Sequence, residues 1–175
     1  CVGASIAARY AGGADAYIEG LITSAMYLKS TEPLPRHMIV LARIVDFFVP
    51  MLPVQSFDIR YLSKDPEVIA EYRADPKVYT DKVRVRTGLE IISSYRPVLR
   101  AAESITVPVL MLHGTDDRIA SPQTTPEVFE RIRSDRKRLE MYEGLYHELL
   151  QEPEREQVIS EIISWLDSEI RPRED

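Results

Sequence analysis

The stretch "ITVPVLMLHG", residues 105–114, constrains the fold more than any other part of the sequence. A nearly continuous apolar run of this length, rich in branched residues, predicts a strand that is buried on both faces. It is followed by a predicted helix "PEVFERIR", a second strand "KRLEMYEG" and a C-terminal amphipathic helix. Strands that alternate with helices at this spacing predict a parallel α/β sheet. The last helix is expected to bury Val158, Ile162, Trp165 and Leu166.

The first 29 residues predict a further helix and strand of the same core. In "CVGASIAARY", the side chains of Val2, Ile6 and Tyr10 lie on one helical face. The following "AGGAD" ends that helix, and "YIEGLITSA" is typical of a buried parallel strand.

Residues 30–104 have a different sequence pattern from the segments before and after them. They contain most of the prolines, several helix starts such as Asp65-Pro66, and no clear strand pattern. Such a helical stretch between two parts of one sheet predicts an insertion above it. We therefore expect core elements in residues 1–29, a helical cap in residues 30–104 and the C-terminal core in residues 105–175.

Composition excludes several functions. A net charge of -6 argues against nucleic acid as a partner, and the densest basic run, Arg131 to Arg138, is predicted to be the solvated end of a helix. One cysteine excludes an intramolecular disulfide and a multi-thiolate zinc site, so no metal is expected. No apolar run approaches the roughly 18 residues that span a bilayer, and no signal peptide opens the chain. A cytoplasmic location is expected, and the absence of an initiator Met predicts a processed or truncated piece.

Candidate catalytic side chains follow the two C-terminal strands. Asp116 and Asp117 come after "LMLHGT", and His147 lies in the loop after "KRLEMYEG". The carboxyl ends of parallel strands meet at one edge of a sheet, and an imidazole oriented by a carboxylate is a general base. Alone, either aspartate could cap a turn and the histidine could be structural. His113 is interpreted as a core histidine with its hydrogen bonds satisfied, and His37 carries no functional signal.

Three stretches, "VPVLMLHGTDDRI", "YEGLYHELLQEPEREQVISEIISWL" and "VPMLPVQSFDIRYLSKDPEVIAEYRADP", resemble the bacterial monoacylglycerol lipases of the α/β-hydrolase superfamily. The resemblance extends over nearly the whole chain and implies an α/β-hydrolase fold, in which this chain is the C-terminal portion of the parallel sheet with a helical cap insertion. It implies that Asp117 and His147 are the acid and base of a catalytic triad, with Asp116 as a neighbour. The superfamily's order of nucleophile, acid and histidine is kept.

The nucleophile departs from the family pattern. Family members have a Gly-x-Ser-x-Gly elbow, and matching its helix to "GASIAARYA" sets Gly3 on the last glycine and Cys1 on the serine. Cys1 is then a substituted nucleophile, a residue exposed by cleavage, or simply the first residue of the sequence given. The fourth interpretation is a small buried thiol without chemistry.

The resemblance implies acyl transfer without a cofactor. The backbone N–H of Val2 would hold the oxyanion, together with a donor from an upstream "HG" loop that this chain lacks. Residues 37–54, "HMIVLARIVDFFVPMLPV", would form an apolar cap that admits an acyl chain and contacts membrane surfaces peripherally. Its candidate substrate contacts are Ile39, Ile44, Val45 and Phe48. The alternative is a helix packed wholly against the sheet domain.

Two other functions remain open at this point. One is a non-catalytic hydrolase-fold protein that binds a ligand or belongs to an assembly, and the other is an acyltransferase or thioesterase of the same fold. The resemblance also implies a missing N-terminal half as a partner. We expect a companion segment beside "YIEGLITSA", because an open apolar strand edge favours aggregation.

Overall fold

A computed structural model of the protein describes residues 1–55 and 58–170. The helices, in chain order, are α1 (Val2–Ala11), α2 (Arg36–Phe48), α3 (Pro66–Ala74), α4 (Val85–Ser93), α5 (Tyr95–Ala102), α6 (Thr124–Arg131) and α7 (Arg155–Glu169). The strands are β1 (Leu21–Ser24), β2 (Pro53–Gln55), β3 (Val83–Arg84), β4 (Val109–Gly114) and β5 (Lys137–Tyr142). Short 3₁₀ turns cover Ile59–Tyr61 and Leu149–Gln151.

Among the described residues, β4 is the central strand of a parallel sheet with the order β1-β4-β5. Leu21 of β1 pairs with Val109 of β4, and Gly114 at the end of β4 pairs with Tyr142 of β5. Every residue of β4 is buried, which accounts for the continuous apolar run. The predicted parallel sheet is confirmed.

The two faces of β4 contribute to two apolar layers, because side chains alternate across a strand. Val109 and Met111 pack with residues of α1, α5 and α6. Leu110 and Leu112 pack on the other face with Val158 and Trp165 of α7. Ile162 and Leu166 of the same helix are partly buried against this layer. The predicted burial holds for Val158 and Trp165, whereas Ile162 and Leu166 are only partly buried.

The middle region differs from its prediction. It contains a short antiparallel pair, β2 with β3, so the expectation of no strand there was wrong. The pair lacks a sequence signal because each strand is only two or three residues long and shows no alternation. The strand expected over "YIEGLITSA" is limited to Leu21–Ser24, and Tyr17 is almost fully exposed.

Two local expectations also change. The basic run is not one helix end, because α6 stops at Arg131 while Lys137 and Arg138 already belong to β5. In α1 the buried side chains are the small ones, Ser5, Ala8 and Ala11. The predicted face with Ile6 and Tyr10 is exposed in the described structure.

Helix α2 has no buried residue and packs mainly on α4. The alternative of a helix packed wholly against the sheet domain was therefore wrong for the described chain. No helix within residues 1–55 and 58–170 is long and apolar enough to cross a membrane. The division of the chain into core and cap remains a prediction. Helix α5 lies within the residues assigned to the cap, yet it buries Val98 and Ala102 in the core.

The neighbours Leu149 and Leu150 allow a matched test of the core. Leu149 is fully buried, whereas Leu150 is 44% exposed. We expect Leu149→Ala to lower the free energy of unfolding by about 2–5 kcal/mol, because it removes apolar contacts and leaves a cavity. Leu150→Ala should change it by about 0.5 kcal/mol or less. Urea unfolding of both variants measures the difference, and equal effects would contradict this position for Leu149.

Candidate active site

The site begins where β4 ends. Gly114 is the last residue of β4, and a Cβ atom there would collide with the carbonyl oxygens of Leu145 and Tyr146. The backbone N–H of Asp116 donates to Leu145 at 3.1 Å. Glycine therefore lets the loop after β5 lie directly on the end of β4.

The carboxylate of Asp117 is the centre of this arrangement. Its Oδ1 accepts hydrogen bonds from the backbone N–H groups of Ile119 at 2.8 Å and Ala120 at 2.9 Å. Its Oδ2 lies 2.8 Å from Nδ1 of His147 and 2.9 Å from Nε2 of His113. Both oxygens of this buried group are thus fully hydrogen-bonded.

His147 has one partnered and one open ring nitrogen. Nδ1 contacts Asp117, whereas the buried Nε2 has no hydrogen-bond partner among the described residues. A carboxylate on Nδ1 fixes the tautomer that leaves Nε2 as a proton acceptor. The open nitrogen is therefore the atom that can take a proton from a nucleophile.

Asp117 is held in its charged form. Burial would raise the pKa of its carboxyl, but the hydrogen bonds from His113 and His147 outweigh burial and hold that pKa well below its usual range. A permanent carboxylate here can orient His147 and stabilise its imidazolium form.

The loop that carries His147 is anchored to the middle region, which the sequence did not indicate. The backbone N–H of Glu148 donates to the carbonyl of Leu62 at 2.8 Å. The hydroxyl of Ser63 donates to the carbonyl of Gln151, also at 2.8 Å. The segment that follows the 3₁₀ turn Ile59–Tyr61 therefore holds the loop that carries His147 in place.

Glu152 connects the same two segments through its side chain, which is fully buried. It accepts from the backbone N–H of Tyr146 at 3.0 Å and, at 3.4 Å, from that of Lys64. Burial raises the pKa of this carboxyl, while the two backbone hydrogen bonds act in the opposite direction. Glu152 thus joins the residue before His147 to the middle region.

Aromatic side chains lie beside the acid–base pair. Arg118 donates to the hydroxyl of Tyr61 at 3.2 Å, and its guanidinium lies 4.9 Å from the Tyr61 ring centre. The Tyr61 ring meets Tyr146 edge-on at 6.2 Å. Arg118 follows Asp117 and Tyr146 precedes His147 in the chain, and both side chains contact Tyr61 of the middle region.

Cys1 lies at the same edge of the sheet. Its backbone nitrogen donates to the carbonyl of Ser24, the last residue of β1, at 2.9 Å. Its side chain is exposed at the N-terminus of α1, so the interpretation as a buried thiol was wrong. The next residue, Ala25, has a left-handed backbone with φ of 44°, a strained conformation for a non-glycine residue that is typical of functional sites.

The remaining candidates are spread over the structure. Asp116 is exposed, and its carboxylate accepts from the hydroxyl of Thr115 at 3.3 Å. Val2 is half-buried in the first turn of α1, and His37 is exposed. The cap candidates fall into two pairs: Ile39 and Val45 are half-buried, whereas Ile44 and Phe48 are exposed. The described residues contain no cluster of three His, Cys, Asp or Glu side chains able to hold a metal ion.

Comparison with known sequences places these residues in context. Residues 1–154 match the Hydrolase_4 family, described as serine aminopeptidase S33. The monoacylglycerol lipase of Mycolicibacterium smegmatis is 29% identical over 163 residues, which are 93% of this chain and 57% of that protein. The mouse (Mus musculus) monoglyceride lipase is 29% identical over 172 residues, 97% of this chain and 57% of that protein. The chain thus spans a little over half the length of these relatives.

Solved structures share the architecture. The monoacylglycerol lipase of Paleococcus ferrophilus superimposes with a TM-score of 0.86 at 29% identity, covering 96% of this chain and 66% of that one. A soluble variant of monoglyceride lipase from Saccharomyces cerevisiae, in complex with a substrate analog, gives a TM-score of 0.80 at 20% identity, covering 97% and 60% of the two chains. At that identity the second match shows the fold alone.

The depressed pKa of Asp117 predicts a pH dependence of stability. Its contribution is fully present above the unfolded-state value of about 3.9 and is lost as pH falls through the lower folded-state value. We expect the difference in unfolding free energy between wild type and Asp117→Asn to become smaller as pH falls from about 5 to about 3. Urea unfolding across this range measures it, with the exposed Asp116→Asn as control. A difference that keeps its full size at about pH 3 would contradict the assignment.

Proposed function

Because the chain belongs to the Hydrolase_4 family, described as serine aminopeptidase S33, and has the expected α/β-hydrolase fold, we propose that it is the portion of a carboxylic ester hydrolase that carries the nucleophile, the acid and the base. The observation that carries this proposal is the buried contact of 2.8 Å between Asp117 and Nδ1 of His147, with Nε2 left open. The same geometry performs general-base catalysis in triad enzymes.

In the proposed reaction Cys1 is the nucleophile. His147 takes the thiol proton through Nε2, and the thiolate attacks the ester carbonyl. The C–O bond then breaks, the acyl group stays on sulfur as a thioester, and His147 returns its proton to the departing alcohol. Water, deprotonated by His147, hydrolyses the thioester and restores the thiol. The Val2 N–H stabilises the oxyanion in both steps.

The proposed substrates are monoacylglycerols or similar lipid esters. This follows from the names of the relatives and from the exposed apolar side chains of α2, among them Ile44 and Phe48. A surface of this kind can contact an acyl chain or the interface of a membrane. We assign these contacts to the cap formed by residues 30–104, in a cytoplasmic protein that meets membranes peripherally.

The cysteine favours a second candidate within the same fold. A thioester is attacked readily by nucleophiles other than water, so an exposed Cys1 also fits an acyltransferase. Analysis of the products separates the candidates: a free fatty acid indicates hydrolysis, whereas a new acyl ester or amide indicates transfer.

We further propose that a companion segment lies beside β1. In the described chain β1 pairs only with β4, so its other edge is open. A parallel strand added at that edge would lie directly before Cys1 in space. It would satisfy the backbone groups that an open edge leaves unpaired.

The two aspartates provide the first test of this proposal. In the full-length protein, Asp117→Asn should lower kcat for a monoacylglycerol about 10³–10⁴-fold, because His147 loses the carboxylate that fixes its tautomer. KM should change little. Asp116→Asn is the matched control and should be nearly silent, since this carboxylate is exposed and makes no contact with His147. A larger loss in Asp116→Asn would move the acid to that residue.

The reactivity of Cys1 provides the second test. A helix N-terminus favours the thiolate, and the proposed pairing with His147 would favour it further, so iodoacetamide should alkylate Cys1 faster than free cysteine near neutral pH. His147→Gln should slow the alkylation, and mass spectrometry follows both rates. Cys1→Ser in the full-length protein should turn esters over faster than wild type, because the elbow is shaped for oxygen. Alkylation at the rate of free cysteine, unchanged in His147→Gln, would contradict the pairing.

A further inference from the structure

His113 has no role in the proposed reaction, yet it contacts the acid directly. It lies inside the core near the end of β4 with no exposed surface. The expectation of a core histidine with satisfied hydrogen bonds is confirmed. Its Nε2 partner, however, is the carboxylate of Asp117. His113 and His147 therefore share one oxygen, Oδ2, at 2.9 and 2.8 Å.

The surroundings of His113 determine which nitrogen carries its proton. A carboxylate only accepts hydrogen bonds, so Nε2 of His113 must donate to Asp117. Its Nδ1 faces the hydroxyl of Thr125, a buried residue in the first turn of α6. That hydroxyl can donate to an unprotonated Nδ1, which gives a neutral ring with the proton on Nε2. A second positive ring beside an imidazolium at His147 would be costly in a buried site.

We infer that His113 is a positioning residue for the proposed triad: its Nε2–H fixes the Asp117 carboxylate and withdraws charge from the oxygen that faces His147. The inference rests on the proposed function, since it assigns His113 a task in that reaction. Without this donor, Oδ2 would have one hydrogen bond instead of two and would interact more strongly with a protonated His147. With the donor present, Oδ2 divides its interaction between the two rings, and Nε2 of His147 stays available as the proton acceptor of a general base.

The pH dependence of the reaction reveals this role. Loss of the donor should strengthen the interaction between Oδ2 of Asp117 and a protonated His147, so that the acid limb of kcat/KM against pH moves to higher pH. Other titratable or charged groups flank the pair and must stay unchanged between variants: Cys1, Tyr61, Arg118, Tyr146, Glu148 and Glu152. None of them hydrogen-bonds Oδ2 of Asp117 among the described residues.

The experiment compares His113→Leu with His113→Gln in the full-length protein. Leucine removes the donor, whereas the glutamine amide can still donate to Oδ2. We expect the acid limb to move up by about half to one pH unit in His113→Leu and kcat to fall about tenfold, with KM within about twofold. His113→Gln should restore most of both. Asp135→Asn, at an exposed residue in the loop before β5, is the control and should match wild type.

A second measurement does not depend on activity or on the stability of a variant. Long-range ¹H–¹⁵N spectra of the wild-type protein report the tautomer of each histidine. We expect His113 to carry its proton on Nε2 and His147 to carry its proton on Nδ1. A proton on Nδ1 of His113 alone would overturn the inference, even if His113→Leu fails to fold.

The remaining outcomes separate this inference from the proposed function. Ester turnover in wild type with an unchanged pH profile in His113→Leu overturns the inference alone. A uniform loss in both His113 variants, without a shift of the profile, means a merely structural role and overturns it too. A wild-type protein that neither turns over esters nor alkylates rapidly at Cys1 overturns the proposed function, and the role of His113 falls with it.

Discussion

The buried carboxylate of Asp117 is the group on which the rest of the site depends. A charge without solvent is stable only when donors surround it, and here two backbone N–H groups and two imidazoles do so. The four donors come from three pieces of structure: His113 from strand β4, the two backbone N–H groups from the turn that follows it, and His147 from the loop after β5. These pieces must be correctly placed before the aspartate can be buried in its charged form. The same placement of donors therefore stabilises the fold and orients the imidazole of His147.

The middle region also helps to hold His147 in place. Backbone contacts from Leu62 and Lys64, the latter through Glu152, hold the loop that contains His147. A cap that moved as an independent lid would have to break these hydrogen bonds or carry the histidine loop along. In the described structure residues 58–65 are therefore fixed to the histidine loop, while α2, which has no buried residue, is the more exposed part of the middle region.

Much of the core could be predicted from the sequence because its signals are local. The apolar run of β4, and the polar residues that follow it and β5, indicated that Asp116 or Asp117 would meet His147, and the family resemblance selected Asp117. The shared oxygen of His113 was not predicted, although its spacing of four residues from Asp117 in "HGTDD" was a signal. Contacts between residues 58–65 and the histidine loop join distant parts of the chain, and no periodicity reports them. The short pair of β2 and β3 was missed for lack of any pattern at that length.

The pairing of β1 with β4 has a consequence for the order in which the protein folds. Leu21 of β1 pairs with Val109 of β4, and the whole middle region lies between these two residues in the chain. A ribosome releases β1 well before its partner strand, so the earlier strand must wait with its edge unpaired while α2 to α5 are synthesised. Parallel pairing across so long a loop is slow to nucleate. Folding yield in a cell should therefore depend on chaperone capacity and translation speed more than the stability of the finished sheet would suggest.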